Sequence, residues 1–139
     1  MINVVYLDYS KTCPISFEAL DTYTKASKEY IGDYSASNKL GIRALNSLKQ
    51  CTKEIADLFN IMESEITFTS GATESNNMAI YGICNKYEKG KIITTKIEHP
   101  SVLNCFIDLE SKGFEVIYLD ILNDGTVDLK QLERELDNN

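Results

Sequence analysis

Two short stretches of this chain carry residue types that chemistry can use. The first is Thr69-Ser70-Gly71-Ala72-Thr73-Glu74-Ser75-Asn76, which reads as a turn from a strand into a helix. Small residues let the backbone approach a ligand closely. A helix start directs unpaired N–H groups outward, with a partial positive charge at its end. Together these make a cradle for a phosphate, with the hydroxyls of Ser70, Thr73 or Ser75 as extra donors. An ordinary capped helix after a strand has the same composition, because Ser, Thr and Gly are common at helix starts. The second stretch is Glu98-His99-Pro100, and His99 is the only histidine in the chain. A flat imidazole between a strand and a helix can stack on an aromatic ring or move a proton. Taken alone, a hydrogen-bonded loop histidine is the plainer reading.

The elements that must position these residues can be read from periodicity. Val4–Leu7 is a short β-type run. A helix is expected from about Ser16 to Tyr30, followed by a loop rich in Gly, Asp, Ser and Asn. The spacing of Ala44, Leu45, Leu48, Cys51, Ile55 and Leu58 predicts a second helix from about Gly41 to Asn60. Glu65–Thr69 alternates and is β-branched or aromatic, so it reads as a strand. Then come a helix over about Glu74–Tyr87, a strand at Lys91–Thr95 and a helix from Pro100 to about Lys112 with Gly113 as its cap. A strand at Phe114–Leu119 and a turn at Asn123-Asp124-Gly125 follow. The last helix is Leu129–Leu136, with Asp128 as N-cap. From Glu65 onward this order suits parallel βαβ units. Ligands of such sheets bind beyond the carboxyl ends of the strands. Thr69 and Thr95 end two of them, so the cradle and the imidazole are expected on one sheet edge. A ligand with both a phosphate and an aromatic ring fits that pair. Three parallel strands are few for a covered sheet, and the expectation is the front part of a larger fold.

Composition narrows the classes. The 139 residues suit about one domain. Lys plus Arg number 14 against 21 Asp plus Glu, a net charge of −7, so no basic footprint for nucleic acid is present. Apolar runs fall far short of a membrane span. Cys13, Cys51, Cys84 and Cys105 are widely and irregularly spaced, which suits neither a metal site nor a disulfide framework. The start Met1–Asp8 has no basic leader pattern, and a reduced, cytoplasmic protein is expected.

With these residues in place, the chain resembles the N-terminal part of the cysteine desulfurases, in the class-V aminotransferase group of pyridoxal-phosphate enzymes. The resemblance rests on Thr69 through Asn77 together with Ile97-Glu98-His99-Pro100-Ser101-Val102. It is supported by Tyr6-Leu7-Asp8, the Gly32–Gly41 loop, Ile66-Thr67-Phe68 and Gly113-Phe114-Glu115-Val116. It implies an α/β fold of the type I, aspartate aminotransferase-like class, here as an incomplete parallel sheet with flanking helices. Residues 1–15 would belong to the small-domain side and 16–139 to part of the large cofactor-binding domain. Ala72 and Thr73 would hold the phosphate of pyridoxal 5'-phosphate. His99 would stack on the pyridine ring and act as an acid/base. The implied reaction takes L-cysteine to L-alanine and leaves a persulfide on an enzyme cysteine. That sulfur passes to acceptor proteins for iron–sulfur clusters or thiolation, and the full enzyme would be a homodimer.

The resemblance has gaps. The family's Asp-Asn-Ala-Ala-Thr-Thr reads Asp8-Tyr9-Ser10-Lys11-Thr12-Cys13 here. Its Gly-Asn-Pro-Ser-Ser-x-His loop reads Gly32-Asp33-Tyr34-Ser35-Ala36-Ser37-Asn38, which places Asn38 where the family has histidine. The Schiff-base lysine, the pyridine-pairing aspartate, the substrate-binding arginine and the persulfide cysteine have no matching positions. The chain alone is therefore expected to be inactive and to self-associate through uncovered apolar faces. A related lyase or aminotransferase, such as one acting on selenocysteine, stays open, as does a non-catalytic binding module.

Overall fold

The structure, a computed structural model, describes residues 5–137. They form two compact units, divided between Thr67 and Phe68.

The first unit is helical. Helix α1 spans Phe17–Glu29 and starts where the Ser16 side chain accepts the Ala19 N–H. Helix α2 spans Lys39–Phe59. It begins two residues earlier than its apolar stripe suggests, because the Asn38 carboxamide accepts the N–H groups of both Leu40 and Gly41 at 3.0 Å. A side-chain cap of this kind sets a helix start independently of periodicity. Asn60 closes α2 in the left-handed region at φ 53°, and the Ile61 N–H returns to the Ala56 carbonyl at 3.1 Å. The loop before α2 packs tightly on it. A Cβ on Gly41 would stand 2.3 Å from the Ala36 carbonyl oxygen, so only glycine fits there. Arg43 ties α2 back to α1 by pairing with Glu29 and lying 5.5 Å from the Tyr30 ring centre. Of the stripe, Ala44 is buried, whereas Leu48 and Leu58 are exposed.

The second unit carries helix α3 (Ala72–Cys84), strand β1 (Lys91–Thr95), helix α4 (Pro100–Ser111), strand β2 (Glu115–Leu119) and helix α5 (Leu129–Asp137). The strands β1 and β2 are parallel neighbours, with Lys91 opposite Glu115 and Thr95 opposite Leu119. With α4 between them they make one βαβ unit. Cys105 and Leu109 of α4, each 1% exposed, pack with Phe114, Val116 and Leu119 in the core. Gly113 (φ 97°) ends α4. Its N–H bonds the Glu110 carbonyl and the Phe114 N–H bonds the Leu109 carbonyl, the paired pattern of a glycine-terminated helix. The Asp128 carboxylate caps α5 as expected, accepting from Lys130 and Gln131. Lys91 holds α5 by donating to the Glu135 carbonyl at 3.1 Å.

Two expected strands are corrected. Glu65–Thr69 is not a strand: Glu63–Glu65 is a single 3₁₀ turn, and the residues after it are unpaired. Ile66 is extended (φ −100°, ψ 127°), but β propensity becomes a strand only when a neighbour completes the ladder, and no described residue does so. The sheet accordingly has two strands rather than three. Val5–Leu7 is likewise not a strand, with Val5 and Leu7 highly exposed. Val4 lies outside the described residues.

Candidate active site

Helix α3 starts at Ala72, two residues before its expected start at Glu74, so Ala72 and Thr73 form its first turn. Its N-cap is Gly71, which has no side chain to cap with, and space is open where a Cβ would stand. The Ser75 N–H is the first to pair within the helix, to the Gly71 carbonyl at 3.1 Å. Among the described residues, the N–H groups of Ala72, Thr73 and Glu74 have no partner. Three such donors on one exposed helix end are the arrangement that holds an anion.

The hydroxyls divide. Ser70 gives both its N–H and its Oγ to the Glu74 carboxylate, each at 2.6 Å. Those bonds hold the Glu74 carboxyl below its usual range. Ser75 is engaged with Thr69 Oγ1 at 2.6 Å and the Gly71 carbonyl at 3.3 Å. Of the three candidate donors, the Thr73 hydroxyl is the one left open, which corrects the wider expectation. Cap and turn bonds within the loop took the other two first.

His99 is the N-cap of α4 and is exposed. Its Nδ1 accepts the Ser101 N–H at 3.1 Å and lies 2.8 Å from Ser101 Oγ. Pro100 takes the first helical position, where a missing N–H costs nothing. The Glu98 carboxylate accepts the Thr95 hydroxyl at 2.9 Å, which fastens the loop to the end of β1.

The structure joins the two starts through α3 and α4 rather than through a shared sheet edge. Asn76 Nδ2 donates to Ser101 Oγ at 2.8 Å. Asn77 Nδ2 donates to the Thr73 carbonyl at 2.7 Å and reaches the Ser101 carbonyl at 3.5 Å. Farther along, the Tyr81 hydroxyl bonds Asp108 at 2.8 Å, and Lys112 bonds the same carboxylate at 2.6 Å. The open N–H groups of Ala72 and Thr73 are thus tied to His99 by two asparagines. Spacing alone did not single out Asn76, Asn77 or Ser101. Ser101 follows His99 closely enough to suggest a local cap, but Asn76 is 25 residues away from it and leaves no local signal.

A phosphate fits the start of α3 by this donor set, and a planar ring has an exposed imidazole to meet. The apolar cleft lined by Ile83, Tyr87, Gly90 and Phe114 lies at the other end of α3 and has no part in this chemistry. Cys105 is buried and donates to the Ser101 carbonyl at 3.1 Å, a core role. Cys13 and Cys51 are exposed. Among the described residues no group of three or more His, Cys, Asp or Glu could hold a metal ion, and no helix is long and apolar enough to cross a membrane.

Comparison with known proteins gives the chain a family. Residues 5–139 match the aminotransferase class-V family. Proteins named cysteine desulfurase IscS are 44% identical over 134 residues in Vibrio cholerae and 39% identical over 140 residues in Buchnera aphidicola. These matches cover 93% and 97% of this chain, but 33% and 35% of the relatives. The chain thus spans about a third of the length of the curated relatives it matches. A solved structure of SspA in complex with cysteine superposes with a TM-score of 0.83 at 40% identity, over 93% of this chain and 38% of that one. A NifS-like protein superposes with a TM-score of 0.79 at 31% identity, over 89% of this chain and 35% of that one. The α/β fold expected from the sequence is the fold these relatives share over the matched region. With the match running through every described residue, this chain belongs to the aminotransferase class-V family.

Proposed function

We propose that this chain supplies the phosphate cradle and the ring-facing histidine of a pyridoxal-phosphate-dependent cysteine desulfurase. The observation that carries the reading is the trio of unpartnered N–H groups at Ala72, Thr73 and Glu74, joined through Asn76 and Asn77 to the start of α4 at His99. Ala72 and Thr73 would bind the cofactor phosphate by backbone N–H groups, with the Thr73 hydroxyl as a further donor. His99 would lie against the pyridine ring and handle a proton of the substrate. The bound cofactor supplies an electron sink for carbanion chemistry, and the protein supplies its orientation.

L-cysteine is the proposed substrate, L-alanine the product, and sulfur would pass by way of a cysteine persulfide to acceptor proteins of iron–sulfur cluster or thiolation chemistry. The relatives' names and the cysteine complex of one neighbour support this substrate class. The proposed working form is a cytoplasmic homodimer. Residues 1–15 lie on the small-domain side, and residues 16–139 belong to the cofactor-binding domain. Exposed Phe17, Leu48, Leu58 and Phe59 support association through apolar faces.

Two experiments test the reading. Inorganic phosphate titrated into the 15N-labelled chain should move the amide signals of Ala72, Thr73 and Glu74 and spare those of Val102 and Leu103, whose N–H groups are paired to the His99 carbonyl. Equal movement at both helix starts would overturn the cradle. The product of the natural gene should form alanine from cysteine when loaded with pyridoxal phosphate. The 139-residue chain alone should not.

A second reading, a lyase or aminotransferase for a related amino acid such as selenocysteine, is favoured by one observation. The position where the family's loop carries histidine is Asn38, and it is committed to capping α2. Turnover of selenocysteine well above that of cysteine would move the assignment there.

A further inference from the structure

Ser101 is buried at 8% exposure, and its hydroxyl sits between two side chains. Asn76 Nδ2 lies 2.8 Å from Oγ on one side, and His99 Nδ1 lies 2.8 Å away on the other. The Ser101 backbone N–H also points at Nδ1, at 3.1 Å. A backbone N–H can only donate, so Nδ1 must present its lone pair. A lone pair on Nδ1 then requires the Ser101 O–H to be a donor to it. With its one proton spent on Nδ1, Oγ accepts from Asn76, and the carboxamide must offer its NH₂ group. The reverse orientation of Asn76 would take the Ser101 proton for itself. It would leave two lone pairs facing each other at 2.8 Å, a contact that costs free energy in a part-buried site. The contacts that join Asn76, Ser101 and His99 are all hydrogen bonds in one arrangement only.

We propose that Asn76 and Ser101 are positioning residues that lock the neutral His99 imidazole in its Nε2–H form, so that its open edge presents a proton donor and not a basic nitrogen. Nε2 has no partner among the described residues, and the ring is exposed. This deepens the functional reading given above and rests on it for one point, that the open edge of His99 faces cofactor or substrate. In that setting the resting histidine donates a hydrogen bond at Nε2. Its basic nitrogen is occupied by the cap of α4. An acceptor on the ligand, such as a carboxylate or phenolate oxygen, is the partner that this edge selects, and a ligand N–H or ammonium is disfavoured.

The test uses the fact that His99 is the chain's one histidine. In the chain labelled with 15N-histidine at about pH 8, above the ordinary imidazole value, long-range proton–nitrogen spectra contain a single ring. Nδ1 should appear as a pyridine-type nitrogen and Nε2 as a pyrrole-type nitrogen. Ser101→Ala removes the hydroxyl donor and should raise the minor Nδ1–H form by about threefold to tenfold, the scale of one lost hydrogen bond. Asn76→Asp has nearly the same shape but can only accept. It should capture the Ser101 proton and shift Nδ1 in the same direction, with the backbone amide spectrum kept. Nitrogen signals at the tautomer-averaged position in the unmodified chain would overturn the proposal. So would unchanged signals in both variants. Failure of the cofactor reading would show separately, as missing phosphate shifts at Ala72 and Thr73 with the imidazole signals unaltered.

Discussion

Helices α3 and α4 pack against each other in one unit, yet they begin in opposite ways. At the start of α4, the His99 side chain takes the Ser101 N–H, and the His99 carbonyl takes those of Val102 and Leu103. At the start of α3, Gly71 caps nothing with a side chain, and three N–H groups stay open. The interiors differ in the same sense. Helix α4 buries Ser101, Cys105 and Leu109, whereas α3 buries no residue. One helix is therefore an anchor whose polar ends are satisfied from within. The other is a platform whose unsatisfied end is available to an anion. The asparagines that join them make the anchor fix the direction of the platform.

The difference can be broken most forcefully at the anchor. Leu109→Ala opens a cavity at a site that is 1% exposed and should destabilise the second unit by about 2–5 kcal/mol in denaturant titration. Ile83→Ala, its counterpart on α3 at 63% exposure, should stay within about 0.5 kcal/mol. Comparable losses at both positions would erase the distinction.

At the platform, Thr73→Asp sets a carboxylate among the open N–H groups. An acidic residue suits a first helical turn, so the fold should hold while phosphate binding weakens by about tenfold or more, which corresponds to about 1.4 kcal/mol. Titration calorimetry or amide shifts would read this. Unchanged affinity would place the anion elsewhere.

The clamp between the helices should show in the pH dependence of stability. The hydrogen bond to Asp108 pushes the Tyr81 hydroxyl up to about 12. A raised folded value means that its contribution is complete below the ordinary value of 10.0 and is lost as pH climbs through about 12. The Lys112 ammonium, and then the Tyr81 hydroxyl, hold the Asp108 carboxyl below 3.8. Its contribution is present above that value and is lost as pH falls below it. Denaturation midpoints should fall at both extremes, and Tyr81→Phe should flatten the alkaline fall. An alkaline fall of equal size in Tyr81→Phe would remove the clamp from the account.

The smallest effect is expected from Gly71→Asp. Its added carboxylate caps α3, which should gain a few tenths of a kcal/mol, and the phosphate-dependent shifts at Ala72 and Thr73 should shrink. A platform that binds phosphate as well with its own cap as without one would show that the open end is not the site.

Much of this molecule is legible in local sequence. Ser16, Asp128, Pro100 and Gly113 mark helix ends because capping chemistry acts within a few residues. Lys91–Thr95 is a strand as read, since a neighbour in parallel register is supplied by the chain after α4. Ile66–Thr69 has the same β-rich composition and remains unpaired, and residue type alone does not tell the two apart. Helix α3 starts at Ala72, two residues before the Glu74 that its sequence suggests. A Gly-Ala-Thr run carries no side-chain cap to mark the boundary, and that same absence leaves the N–H groups free.

The sequence by itself determined that a turn of small residues at Ser70–Thr73 leads into a helix and that His99 stands directly before another. Those properties follow from residue type and close spacing. Only the tertiary structure decided which hydroxyl stays open and what holds His99. Ser70 and Ser75 are consumed within their own turn, and Asn76 meets Ser101 across 25 residues of chain. Hydrogen bonds across such separations exist only once α3 and α4 have packed, because the packing supplies the geometry that neither helix has alone.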